Sequence, residues 1–323
     1  MKNRQSKLLI YLPIMLILTA VAVVFRSVAL SVDFNFESGY YTVGILSAIA
    51  DWTAVISVAA GLSYFIFGDK DCHLVASYDG PATFIPSLLV GSTLVFITVD
   101  LGGKMSVESN AETVVRIANI ISFVLAAVAA YSFFITAYKT ARRDTSRASV
   151  QIGALLFFAV YAAYIYFANP LPINSPNRMV DITAYLLFAS FFIYEVRISL
   201  GRDLWKAYTA FGLCALALTA YSSIPSLVIY LSKGIEISHS IYETVLTLSL
   251  FIFVLLRLAR SLFLFEDIES DVVEAIKLAE QSRIQNNQTE ELPEEVADDT
   301  DDVNENYTID LEEKTEQTEK EAE

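Results

Sequence analysis

Apolar residues along this chain are gathered into long blocks separated by short polar stretches. They do not recur singly at every third or fourth place, as on the one buried face of a soluble helix. A bilayer core about 30 Å thick is crossed by about 20 apolar residues at a rise of about 1.5 Å each. Blocks of that size occupy 8–30, 42–67, 83–101, 114–138, 150–168, 180–200, 207–231 and 240–262. The pattern predicts an all-α fold, a polytopic transmembrane bundle of about eight helices filling residues 1–262.

Beyond the last block the pattern changes twice. Phe265, Ile268, Val272, Ala275 and Ala279 recur at spacings of three and four, which predicts one more helix over 263–285 with a single apolar stripe. Its other face carries Glu266, Asp267, Glu269, Asp271 and Glu274. An acidic helix is repelled by an anionic inner leaflet, so it is expected to project from the membrane into the cytoplasm. From 286 to 323 apolar residues almost vanish, and a segment that cannot bury apolar surface is expected to stay disordered.

Composition agrees with this division. The chain is 54% hydrophobic and only 18% charged, against about 25% charged residues in soluble domains. Its net charge of −15 belongs almost entirely to the tail, where 286–323 holds 16 Asp/Glu and 2 Lys. The rest is near neutral and has no basic stripe, so no nucleic-acid partner is expected. The implied partners are the lipid bilayer and a cytoplasmic protein engaging 263–323.

Loop charge sets the orientation, because cytoplasmic loops keep an excess of Lys and Arg. Lys2, Arg4 and Lys7 precede the first block, and Lys139, Arg142, Arg143 and Arg147 oppose a single Asp144 in the loop after the fourth. Arg202 and Lys206, then Arg257 and Arg260, mark the same side, whereas 31–41 carries Asp33 and Glu37. Both termini are therefore expected in the cytoplasm. A cleaved signal peptide ending near Ser27-Val28-Ala29 is the competing reading of the start. Against it, the apolar run is longer than a signal peptide needs and Arg26 sits beside the site.

Ionisable residues within apolar blocks are the candidates for chemistry, since each costs about 2.5–3.5 kcal/mol at the centre of a membrane helix. Asp51 lies about nine residues, or ~13 Å, below the outer end of the second block. Ser47, Asp51, Ala54, Val58 and Gly61 share its face at four-three-four-three spacing. Small residues let membrane helices approach closely, so this face is expected to pack on protein. Arg26, Arg116, Asn119 and Glu243 fall in the same outer half, with Asp181, and two arrangements are open to them. One is an outward-facing polar pocket around Asp51, Arg26, Arg116, Asn119 and Glu243; the other is an Arg26–Asp51 ion pair with the remaining groups reaching water. Pro225, among Tyr221, Ser222, Ser223 and Ser226, is a candidate helix kink.

No catalytic, cofactor or metal site is expected. Asp69, Asp71, Cys72 and His73 cluster without a second nearby His or Cys, and glycine-rich phosphate loops, GxSxG and HExxH are absent.

The segment Phe34-Asn35-Phe36-Glu37-Ser38-Gly39-Tyr40-Tyr41 resembles one found after the first span in uncharacterised multipass membrane proteins of clostridial-type bacteria. The resemblance implies a bacterial cell membrane and no particular activity. Two functions remain open from the sequence. The leading one is a non-enzymatic membrane sensor, scaffold or assembly factor working through the acidic C-terminus, motivated by a membrane body with only one deep charge. The alternative is a small-solute transporter with its site around Asp51.

Overall fold

The computed structural model describes residues 7–36, 38–68, 81–107, 113–142, 148–168, 171–172, 174–200, 204–237 and 240–262. All of them belong to a unit spanning Met1–Glu269, and a second unit, Ser270–Glu323, lies outside the described residues. The expected cytoplasmic helix over 263–285 and the disordered tail over 286–323 also lie outside them.

Eight helices long and apolar enough to cross a membrane make up the described chain. They are α1 (Leu8–Val32), α2 (Ile45–Phe67), α3 (Pro81–Val107), α4 (Thr113–Ala141), α5 (Ala148–Ala168), α6 (Pro176–Ser199), α7 (Trp205–Lys233) and α8 (Ile241–Leu262). The fold is an all-α polytopic membrane bundle, and each helix falls on one predicted block. Many hydroxyls within the helices are satisfied locally: Thr53 donates to Ile49 O, Ser92 to Leu88 O and Thr98 to Leu94 O. Bonding back one turn meets the demand that lipid places on every polar group.

Between α1 and α2 the chain makes a short antiparallel hairpin of β1 (Phe34–Asn35) and β2 (Tyr40–Tyr41). The strands are joined through Ser38 and Gly39, with Gly39 at φ 74°. That conformation carries little cost only for glycine. The hairpin is docked rather than dangling, because the Ser175 hydroxyl donates to Gly39 O at 2.9 Å. Phe34 meets Phe36 and Tyr41 edge to face, over a small core of Leu30, Phe34 and Ile229.

The hairpin defines one end of the bundle. Lys233 Nζ donates to Ser31 O there, joining the C-terminal ends of α1 and α7. At the opposite end Lys7 Nζ donates to Phe67 O and Arg260 donates to Thr83. The helices therefore alternate in direction, as short connections require.

The central element is α7. Within its most apolar stretch 78% is buried, against 28% for α2. It packs on α1, α2 and α6, and its Gly212 lies against Phe191 and Leu258 of α8. Ala207, Ala210, Gly212, Cys214, Ala215 and Ala217 make α7 thin on several sides, which lets four neighbours approach it at once.

The small-residue face of α2 is applied to α7, with Ser47, Ala54 and Gly61 buried. A Cβ on Gly61 would stand 2.9 Å from Cys214 Sγ and 3.3 Å from the Cys214 backbone nitrogen. Gly61→Ala is thus expected to cost about 1–3 kcal/mol by overpacking, read as a lower unfolding temperature in mild detergent. Adding Cys214→Ala removes the nearest atom and should return most of the loss. A wild-type midpoint for Gly61→Ala alone would mean that α2 sits further from α7.

Candidate functional site

Polar side chains are buried at both ends of the bundle. At the hairpin end, α1 contributes Arg26, α6 Asn177 and Asp181, and α7 Tyr221 and Ser222, all buried, beside the half-buried Asp51 of α2. Arg26 is only 3% exposed. Its guanidinium donates to Asn177 Oδ1 at 2.6 Å and lies 4.2 Å from the centre of the Tyr221 ring. The Tyr221 hydroxyl donates to Asp51 Oδ1 at 2.6 Å, and the Ser222 hydroxyl donates to Asp181 Oδ1. Arg26 Nε and Asn177 Nδ2 are buried without a hydrogen-bond partner. One guanidinium thus faces two carboxylates, Asp51 and Asp181, both within electrostatic range.

The expected Arg26–Asp51 pair is corrected in its form. Tyr221 stands between the two groups, binding the cation through its ring face and the anion through its hydroxyl. Cation–π attraction of this kind is worth about 2 kcal/mol when desolvated. Tyr41 on the hairpin closes the cluster from above. Burial pushes its phenol above the ordinary range, with Arg26 opposing that shift.

Glu243 belongs to a second group at the same end. Lys104 Nζ lies 2.9 Å from Asp100 Oδ2 and 3.5 Å from Glu243 Oε1. Tyr185 is within electrostatic range of both Asp181 and Glu243, so the two groups adjoin across α6. Tyr161 points its buried hydroxyl toward Glu243, and Tyr185 presents a buried hydroxyl without a hydrogen-bond partner.

Arg116 does not join either group. It is exposed on the outer face of α4, beside exposed Ile117 and Ile120, because the buried face of α4 is the one carrying Asn119, Ser122, Ala126 and Ala129. Asn119 is buried, with Oδ1 lacking a partner. Pro225 is accommodated within a continuous α7. The Ser223 hydroxyl donates to Thr219 O and the Ser226 hydroxyl to Ser222 O, which lines the turn around the proline with satisfied carbonyls. The Asp69–His73 cluster lies outside the described residues.

A third group, at the opposite end, was missed by the sequence reading. Glu195 of α6 is 3% exposed. It receives Arg257 Nε at 2.8 Å, Arg257 Nη2 at 3.1 Å and the Tyr208 hydroxyl at 2.7 Å. This is the two-point geometry that suits a guanidinium to a carboxylate. Beside it opens a small cavity of about 20 Å³, with Thr83, Ser132, Thr136, Gln151, Glu195 and Arg257 among its walls. Arg178, also missed, is a fastener: buried, it donates to Leu171 O and Tyr166 O and ties the end of α5 to the start of α6.

No family model, no curated protein and no solved structure matches this chain.

Proposed function

We propose that this multi-pass protein resides in a bacterial cytoplasmic membrane with both termini in the cytoplasm, and that it binds and transports a small polar solute. The observation that carries this reading is the burial of Arg26, Asp181, Glu195 and Glu243 at two depths of one bundle. Each such group costs about 2.5–3.5 kcal/mol in the hydrocarbon region, and charges retained there commonly mark solute or ion pathways. The scaffold reading leaned on a membrane body with a single deep charge, and that premise no longer holds. Structural pairing alone accounts for the partnered atoms. It leaves the unpaired Arg26 Nε, Asn177 Nδ2 and the Tyr185 hydroxyl without a purpose, and these are groups a solute or water can satisfy.

The test uses the purified full-length protein and a panel of amino acids, sugars, carboxylates and polyamines, scored by thermal stabilisation and then by uptake into proteoliposomes. Asp51→Asn keeps the Tyr221 contact while removing a charge, and is expected to lower uptake of the stabilising solute by about ten-fold or more. A chain ending at residue 285 should transport within about two-fold of wild type if the tail is only a solvated extension. The acidic 286–323 segment favours the sensor or scaffold reading instead. No stabilising solute, together with a stoichiometric protein partner lost with the tail, would establish that alternative.

A further inference from the structure

Two helices carry the same pattern on one face. On α6 it runs Asp181, Tyr185, Phe188, Phe192, Glu195, and on α8 Glu243, Leu246, Leu250, Phe253, Arg257, at alternating spacings of three and four. Such spacing keeps all five residues on one side of a helix. Asp181, Glu195 and Glu243 are no more than 5% exposed. Each face therefore begins and ends in an ionic group and is apolar between. At a rise of about 1.5 Å per residue the two ends lie about 21 Å apart. The faces meet each other: Phe192 stacks on Phe253 and Glu195 accepts from Arg257, while Tyr185 lies within electrostatic range of Glu243. Resting on the transport reading, we propose that the solute path runs between α6 and α8. Its outer station is Asp181 with Glu243, its inner station is Glu195 with Arg257, and Phe192 is the keystone of an aromatic seal that holds it shut between them.

The neighbouring helices complete the seal. Phe158 of α5 stacks on both Tyr185 and Phe192, and Phe133 of α4 meets Phe192 edge to face. The rings form an unbroken series from the level of Tyr185 to that of Phe253, in which Phe192 touches Phe133, Phe158 and Phe253. An apolar constriction of this kind excludes water and charge until its walls part. The inner station is occluded as well, since the cavity beside Glu195 and Arg257 measures about 20 Å³, room for about one water. Core packing accounts for the rings. It does not account for ionic groups at both ends of the same two faces, each costly in hydrocarbon, whereas a solute path needs polar stations on either side of a dry barrier. By the proposed orientation the inner station faces the cytoplasm. The Arg26 cluster joins the outer station through Asp181, which lies within electrostatic range of Arg26.

The experiment measures how fast a small charged thiol reagent, aminoethyl methanethiosulfonate, reaches one cysteine inside the seal. Full-length protein carries Cys72→Ser and Cys214→Ala, with Leu250→Cys on the α8 face between Glu243 and Phe253. Leu250 is fully buried, so labelling of the purified protein should be slow. Adding Phe192→Ala opens a gap in the ring series and should speed labelling by about ten-fold or more. Phe192→Leu, a milder truncation, should fall between the two and keeps the test decisive if the alanine variant does not fold. Phe191→Ala removes the same bulk from the adjacent position, packed on Tyr208 and Gly212 of α7, and should leave the rate within about two-fold. Rapid labelling with Phe192 intact, no acceleration on its loss, or equal acceleration from Phe191→Ala each overturns the inference. The outcome separates from that of the transport reading. Phe192-dependent labelling without flux of any solute into proteoliposomes sinks transport and keeps the sealed path, whereas Asp51-dependent flux with labelling indifferent to Phe192 does the reverse.

Discussion

Arg26→Met is expected to destabilise the folded protein by about 3–5 kcal/mol, the range found when one partner of a buried charge group is removed. The substitution keeps most of the side-chain length and apolar bulk, so the loss reports charge and hydrogen bonding. It strips the buried amide oxygen of Asn177 of its donor and the Tyr221 ring of its cation. It also removes the positive charge that the half-buried Asp51 and the buried Asp181 face. Arg26→Lys should fall between the two, since an ammonium retains the charge without the flat fork that stacks and donates together. In a thermal melt in mild detergent, followed through Trp52 and Trp205, the drop for Arg26→Met should be on the order of 10 °C. Adding Asp181→Asn should recover part of it by removing one of the two carboxylate charges that Arg26 faces. A shift no larger than that of an exposed substitution, roughly 0.5 kcal/mol, would mean that the carboxylates are already neutral or hydrated and that Arg26 does not hold them.

The membrane path was legible in the sequence because lipid demands about 20 apolar residues wherever the chain crosses, and all eight helices lie on the predicted blocks. The α2 face was legible too, since Ser47, Ala54 and Gly61 signal close approach whatever the neighbour is. The sequence does not indicate which neighbour a charged residue faces. Lipid-facing and protein-facing sides of a membrane helix are both apolar, so periodicity hardly distinguishes them. Asp181 and Glu243 lie within a few residues of helix starts and read as interfacial groups reaching water, yet they are 2% and 5% exposed. Arg116 has the same depth and the opposite fate, because its side chain leaves the outer face of α4. Arg257 counted as one more positive charge on the cytoplasmic side, when in the fold it turns inward to Glu195. Glu195 itself, beside Arg197 near the end of α6, had the sequence surroundings of a surface pair. Tyr221 was the least visible of all, since nothing local marks a tyrosine that stands between a cation and an anion contributed by two other helices.

The Glu195–Arg257 pair supplies a test in which stability and function are expected to part. Arg257→Leu leaves Glu195 buried in α6 with the Tyr208 hydroxyl still donating to it, and should cost about 3–5 kcal/mol, as an uncompensated buried carboxylate does. Glu195→Leu removes the carboxylate to which Arg257 donates twice and should also be destabilising. The double substitution removes both charges and replaces them with apolar bulk between Phe192 and Phe253, where such bulk packs well. Replacing a buried pair by apolar residues is often neutral or stabilising. The double variant should therefore melt within about 1 kcal/mol of wild type, giving a coupling energy of several kcal/mol between the two sites. If the pair were only a structural clasp, that variant would also keep every activity of the protein. If the pair instead serves transport, the restored fold should keep its unfolding midpoint and lose uptake. A double variant that is both stable and active would show that the pair is a structural clasp and no part of the solute path.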